Sequence, residues 1–231
     1  MTEDRSKSNL NIKKRKSRNK KIKSITSSRR MSNNAKIAGA NIIFGLDNGA
    51  TGTISCIVKY PNNDYDIFFQ KTPSYTALDY QQSIQYIARI DWKKLKYWFE
   101  DILKQVKDNY YKNYNVEEKD LKPLIVLERP MINADRFKQS KNAARAFEAT
   151  LIVLEMLNLE NNYIIIDSKK WQHYFFGKNT ILLDLKKESM KEGIKFLSLF
   201  KNKYNDLIEI AKNHGDADSL LISRFALEKL C

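Results

Sequence analysis

The chain has 231 residues, of which 42% are hydrophobic and 29% charged, and carries a net charge of +14 at neutral pH. That length holds one substantial core with appendages, and the composition is that of a globular chain without the run of roughly 20 apolar residues that a membrane helix needs. Only Cys56 and Cys231 are present, too few for a disulfide framework or a thiolate metal site, which points to a reducing intracellular compartment.

The charge is concentrated at one end. Residues 1–37 account for +11 of the +14, around the run KKRKSRNKKIK from Lys13 to Lys23. With little to bury there, this segment reads as a disordered basic tail attracted to phosphate backbones, and residues 38–231 read as the folded domain. A solubilising tail or a nuclear localisation signal is the blander reading. No apolar stretch follows the charges, as a secretory signal would require, and acids near the start disfavour a mitochondrial presequence without eliminating it. A cytoplasmic or nucleoid location is expected, in the host cytoplasm for a viral protein.

The first predicted strand is NIIFGLD. GTISCIVKY, Gly52 to Tyr60, alternates as a second strand across a glycine turn, and YDIFFQK, Tyr65 to Lys71, makes a third. Thr72 to Arg89 has no clear period and is expected to be a loop with helical fragments. Asp91 is a plausible N-cap for an amphipathic helix with Trp92, Leu95, Phe99, Ile102, Leu103 and Val106 at helical intervals. A fourth strand spans Leu124 to Leu127 between two prolines, followed by a helix presenting Phe147, Leu151, Leu154 and Leu157. Tyr163 to Ile166 reads as a fifth strand, continuously apolar as if covered on both faces. Leu182 to Phe200 is expected to be mostly helical, and Gly215 to Leu230 to form the last helix.

Three antiparallel strands followed by alternating helices and strands give an α/β domain with a mixed five-stranded sheet and helices on both faces. The order resembles that of the ribonuclease H superfamily. In such a sheet the first and fourth strands can be neighbours, so Asp47 and Glu128 would emerge at the same end. His214 and Asp218, four apart, would share a face of the last helix, with Asp216 pointing elsewhere. Carboxylates gathered without a strong cation repel one another and protonate unless divalent ions hold them. Oxygen-rich sites suit Mg²⁺, with Mn²⁺ a substitute, and two such ions serve in-line phosphodiester hydrolysis. Each residue has a plainer reading: Asp47 in an Asx-turn beside Gly49, Glu128 ion-paired, His214 a cap or loop residue, Asp216 a helix cap. His173, Glu148 and Glu155 read as structural.

FGLDNGATG, IVLERPMINADRFKQSKNAARAFEATLIVLEML, YIIIDSKKWQHYFFG and NHGDADSLLISRFA together resemble the RuvC-like Holliday junction resolvases, particularly those of bacteriophages. The resemblance implies a ribonuclease H-like fold and a Mg²⁺-dependent endodeoxyribonuclease of recombination and repair, cutting four-way DNA junctions. It implies metal ligands at Asp47, Glu128, His214 and Asp218, and a homodimer matching the two-fold symmetry of the junction. Many relatives have aspartate at the position of His214, so Asp216 is the fallback ligand. Arg129, Arg136, Lys138, Lys141 and Arg145 around a helix start, with Lys169 and Lys170, are the candidate DNA contacts. Phe137 is either a wedge against bases or a core residue. The alternatives are a relaxed debranching nuclease in phage DNA packaging and a DNA-binding module without catalysis.

Overall fold

The computed structural model describes residues 39–78, 86–115, 120–133, 135, 137–178, 184–200 and 202–231. The chain divides after Ala38, and every described residue belongs to the unit Gly39–Cys231. The expectation of a basic tail over 1–37 therefore lies outside the described residues.

Five strands form one mixed sheet: β1 (Ile42–Leu46), β2 (Thr53–Lys59), β3 (Tyr65–Lys71), β6 (Pro123–Glu128) and β7 (Tyr163–Ile166), in the order β3-β2-β1-β6-β7. β2 pairs antiparallel with both β1 and β3, and β6 and β7 run parallel to β1. β1 is buried throughout because it is central and covered on both faces, which is what its unbroken apolar run requires. Pro123 opens β6, where a missing N–H is tolerated, and Leu124 to Leu127 are fully buried behind it.

The alternation of side chains splits the core in two. Ile42, Phe44 and Leu46 join Ile54, Cys56, Val58, Ile125 and Leu127 beneath α1 (Trp92–Tyr114) and α2 (Phe137–Met156). On the other face Ile57, Ile67 and Phe69 pack with residues of α4 (Leu185–Ser198), α5 (Asn205–His214) and α6 (Asp218–Lys229). A short α3 (Ser168–Phe176) follows β7. Asp91 caps α1 as expected, accepting from the Lys94 backbone N–H at 3.2 Å. No described helix is long and apolar enough to cross a membrane.

Besides adding α3 and α5, helices that the sequence reading did not include, the structure departs from it in three places. Within Thr72 to Arg89, β4 (Ser74–Leu78) and β5 (Tyr86–Ile90) form a separate two-stranded sheet in place of a loop with helical fragments. Its period is obscured because only Ile87 and Ile90 are buried, and they sit three residues apart. β7 is an edge strand with Ile165 41% exposed, so it is not covered on both faces. His214 does not belong to the last helix: it ends α5, and Gly215, at φ +84°, stops that helix with its N–H on the Ala211 carbonyl.

Candidate active site

β1 and β6 pair in parallel with Leu46 opposite Leu127, so the next residues of each strand, Asp47 and Glu128, leave the sheet side by side. Both continue the face opposite Phe44 and Leu127, which is the face that α6 covers. A seam of small residues sets how closely α6 approaches. A Cβ on Gly45 would stand 2.3 Å from the Ser219 carbonyl oxygen and 2.7 Å from the Ser223 nitrogen. Ser55 donates to the Ser219 carbonyl at 2.7 Å and its hydroxyl lies 2.9 Å from that of Ser223. Glycine inside a strand is there for the helix backbone, and the contact delivers Asp218, the first residue of α6, to the end of β1.

The turn after β1 leaves the Asp47 carboxylate unspent. It is closed by backbone groups, Gly49 N–H donating to the Asp47 carbonyl at 2.7 Å and Gly52 N–H to the Gly49 carbonyl at 3.1 Å, so the Asx-turn reading does not hold. The carboxylate lies against Gly52, where a Cβ would come within 2.6 Å of Oδ2. Glu128 is fixed from two sides: the Trp171 indole donates to Oε2 at 3.2 Å, and the Asn48 amide donates to the Glu128 carbonyl at 2.5 Å. Asp218 Oδ1 is buried and has no hydrogen-bond partner among the described residues.

These carboxyls raise one another's pKa. Burial first, then the charges of Asp218 and Asp216, push Asp47 up to about 7, against the opposing pull of Lys186. Glu128 rises to about 8 through burial and Asp47, with the Trp171 hydrogen bond working the other way. Asp218 rises to about 6, mainly by burial, with a hydrogen bond from Ser189 lowering it. Three acids destabilised as anions, at the meeting of two strand ends and a helix start, are what a cationic partner would relieve.

The remaining candidates divide clearly. Asp216 is 1% exposed and is held by Lys186 Nζ at 2.7 Å and Thr53 Oγ1 at 3.4 Å. It does not cap α6, whose N-cap is Ala217. His214 Nε2 is buried without a hydrogen bond, 3.5 Å from Asp216 Oδ2, and burial lowers the imidazole's pKa. Since His214 and Asp218 lie on different helices, the four-residue spacing does not unite them. Among the described residues no three His, Cys, Asp or Glu side chains converge tightly enough to enclose one ion, so the acids form a coupled pocket and not a closed cage. The donor set is of the chemical type that hard divalent cations take: mostly oxygens, mutually repelling, with Asp218 Oδ1 unpartnered among the described residues.

Of the candidate DNA contacts, Arg129 lines the cleft that holds Asp47, Asn48 and Glu128, and its guanidinium is 3.8 Å from Asp167. Lys169 and Lys170 are exposed at the start of α3, and Lys141 is partly buried on α2. Arg145 faces the β4–β5 hairpin. Arg136 and the Lys138 side chain lie outside the described residues. Phe137 is 70% exposed, which excludes the core reading, and His173, Glu148 and Glu155 are exposed on their helices. Sequence reasoning missed Trp171, Asn48 and Lys186. The first two adjoin motif residues, but nothing marks Lys186 among so many lysines. No protein-family model matches the chain, and a search of curated proteins found no match.

Proposed function

We propose that this chain is a divalent-metal-dependent nuclease of ribonuclease H-like, RuvC-like type that cuts branched DNA. One observation carries the reading: Asp47 and Glu128 leave neighbouring parallel strands in consecutive register, Asp218 is brought to them by a helix seated on Gly45, and all three are raised in pKa by burial and by nearby acids. Asp47, Glu128 and Asp218 would hold Mg²⁺ or Mn²⁺, with His214 as the fourth ligand in preference to Asp216, which Lys186 and Thr53 already occupy. Divalent ions bound there would neutralise the phosphate and acidify water for in-line attack.

The chain's own groups do the rest. Trp171 holds one oxygen of the Glu128 carboxyl and Asn48 holds its backbone carbonyl. Lys186 Nζ pairs with Asp216 at 2.7 Å and sets a positive charge among these acids. Arg129, beside Glu128, is placed to hold a phosphate of the bound strand. A homodimer would give two such pockets for the two continuous strands of a four-way junction.

The test compares a synthetic four-way junction with matched duplex, flap and Y-shaped DNA, in Mg²⁺ and in EDTA, for wild type and Asp47→Asn. Paired symmetric nicks, dependent on Mg²⁺ and absent from the variant, are expected. Equal cutting of all four substrates would remove junction selectivity, and cutting in EDTA would remove the metal.

A further inference from the structure

A second cleft opens at the same end of the sheet but toward β3, on the opposite side of β1 from Glu128 and Arg129. It lies between the exit of β3 and the first turns of α1, with a volume of about 480 Å³, and Lys71, Thr72, Pro73, Lys94, Tyr97 and Trp98 line it. It is continuous with the site through the backbone. Lys71 pairs in register with Thr53, and the Thr72 N–H donates to the Gly52 carbonyl at 3.0 Å, one residue from the turn that carries Asp47. Lys71 is also close enough to His214 to disfavour the imidazolium.

Its walls combine the three chemistries of a nucleotide site. Tyr97 is 69% exposed, so its ring face is open to a stacking partner. Trp98 behind it is fixed edge-to-face on Phe44, with ring centroids 5.7 Å apart, so the wall is rigid. Lys71 and Lys94 are exposed cations, Lys94 standing 3.5 Å from Asp91. Thr72 is 6% exposed, yet its hydroxyl has no partner among the described residues, a costly arrangement that a ligand oxygen would relieve. Asp101 at the rim accepts from the Gln105 amide at 2.7 Å, so the lining holds two lysines and one carboxylate.

We propose that this cleft binds one unpaired nucleotide of the DNA strand that passes the acidic pocket, its base stacked on Tyr97 and its phosphate held by Lys71, Lys94 and the Thr72 hydroxyl. The volume suits a single nucleotide and not a duplex, so it selects DNA whose strands separate near the cleavage point. The inference rests on the nuclease reading for what the strand does there, but binding alone tests it.

The experiment uses the full chain in EDTA, with fluorescence anisotropy on a labelled 12-nucleotide single strand and a labelled four-way junction. Tyr97→Ala is expected to weaken single-strand binding about tenfold while Tyr97→Phe retains it, because stacking needs the ring and not the hydroxyl. Lys71→Gln is expected to reduce the salt slope of binding by about one phosphate contact. A 5-iodouracil strand should crosslink to Tyr97. Melting temperatures establish that the exposed-site variants are folded. Wild-type affinity in both Tyr97→Ala and Lys71→Gln would overturn the proposal, as would failure of the wild type to bind either DNA. Binding with the expected variant pattern but no cutting in Mg²⁺ would support the cleft and sink the nuclease reading instead.

Discussion

The molecule deals with carboxylates in two opposite ways. At the far end of β3, Asp66 accepts from Tyr60 at 2.7 Å, from Asn109 at 3.4 Å and from Lys203 at 3.0 Å, and Lys203 and Tyr204 also donate to the Tyr65 carbonyl. Every oxygen there has a donor, and the network ties β3 to α1 and to the approach of α5. At the end of β1, by contrast, Asp47, Glu128 and Asp218 are brought together with Lys186 and Arg129 nearby and with Asp218 Oδ1 bonded to nothing among the described residues. A satisfied acid holds a fold together; an unsatisfied set costs stability that a bound cation would offset.

The sharpest way to break this comparison is to neutralise an acid in the pocket. Glu128→Gln keeps the shape and the Trp171 contact on one side but removes a ligand charge, and cleavage in Mg²⁺ should fall by at least about 10³-fold, roughly 4 kcal/mol of transition-state stabilisation. In EDTA at pH 8 the same variant should melt no lower than wild type, since an uncompensated charge has gone. Retained cleavage, or a large loss of stability, would place Glu128 in the same class as Asp66.

Next in size is the seam that assembles the pocket. In Gly45→Ala the new methyl meets backbone of α6 at 2.3 and 2.7 Å, which flexible side chains cannot relieve. The expected cost is about 3 kcal/mol in denaturant unfolding, at the upper end for overpacking, together with loss of cleavage as Asp218 is pushed away. A neutral substitution would mean that α6 is not held where the pocket needs it.

Much of this was legible in the sequence because apolar runs bounded by Gly and Pro report strands directly: β1, β2, β3, β6 and β7 fall where IIFGL, TISCIVK, YDIFFQK, PLIVLE and YIII stand. The neighbouring exits of Asp47 and Glu128 follow from β1 lying beside β6. What stayed hidden depends on contacts remote in sequence. The β4–β5 hairpin buries too few residues to show a period of two, and the α5–α6 break rests on the φ of Gly215, which a four-residue spacing rule overlooks. Gly45 reads as an ordinary strand residue until Ser219 and Ser223, more than 170 positions later, come against it. Lys186 is one lysine among many until it meets Asp216.

The pH dependence of stability sharpens the contrast further. Asp47 and Asp218 move from 3.8 to about 7 and about 6, and Glu128 from 4.5 to about 8, so each holds its proton more tightly folded than unfolded. Their contribution is therefore full below about pH 4 and is lost as the pH rises toward 8. Relative to Asp47→Asn, which cancels contributions from other groups, wild type in EDTA should lose on the order of 2 kcal/mol between pH 5 and pH 8, about 4–8 °C in melting temperature. Mg²⁺ should restore the loss at pH 8 and do little at pH 5, where protons compete for the same oxygens. A flat difference between the two proteins would mean that neither burial nor the neighbouring acids raise the Asp47 carboxyl.

The smallest expected effect comes from the satisfied site, and it falls on stability and not on cleavage. Asp66→Asn keeps the volume and one acceptor but turns the other oxygen into a donor facing Lys203 or Tyr60, both of which already donate. Asp66 is partly exposed, with 30% of its side chain accessible, so water relieves part of the mismatch and the loss should be about 1 kcal/mol. Cleavage per folded molecule should not change, because the network lies at the opposite end of the β2–β3 pair from Thr53 and Lys71. If Asp66→Asn instead cut the cleavage rate while sparing the melting temperature, the division between structural and functional acids in this fold would be drawn in the wrong place.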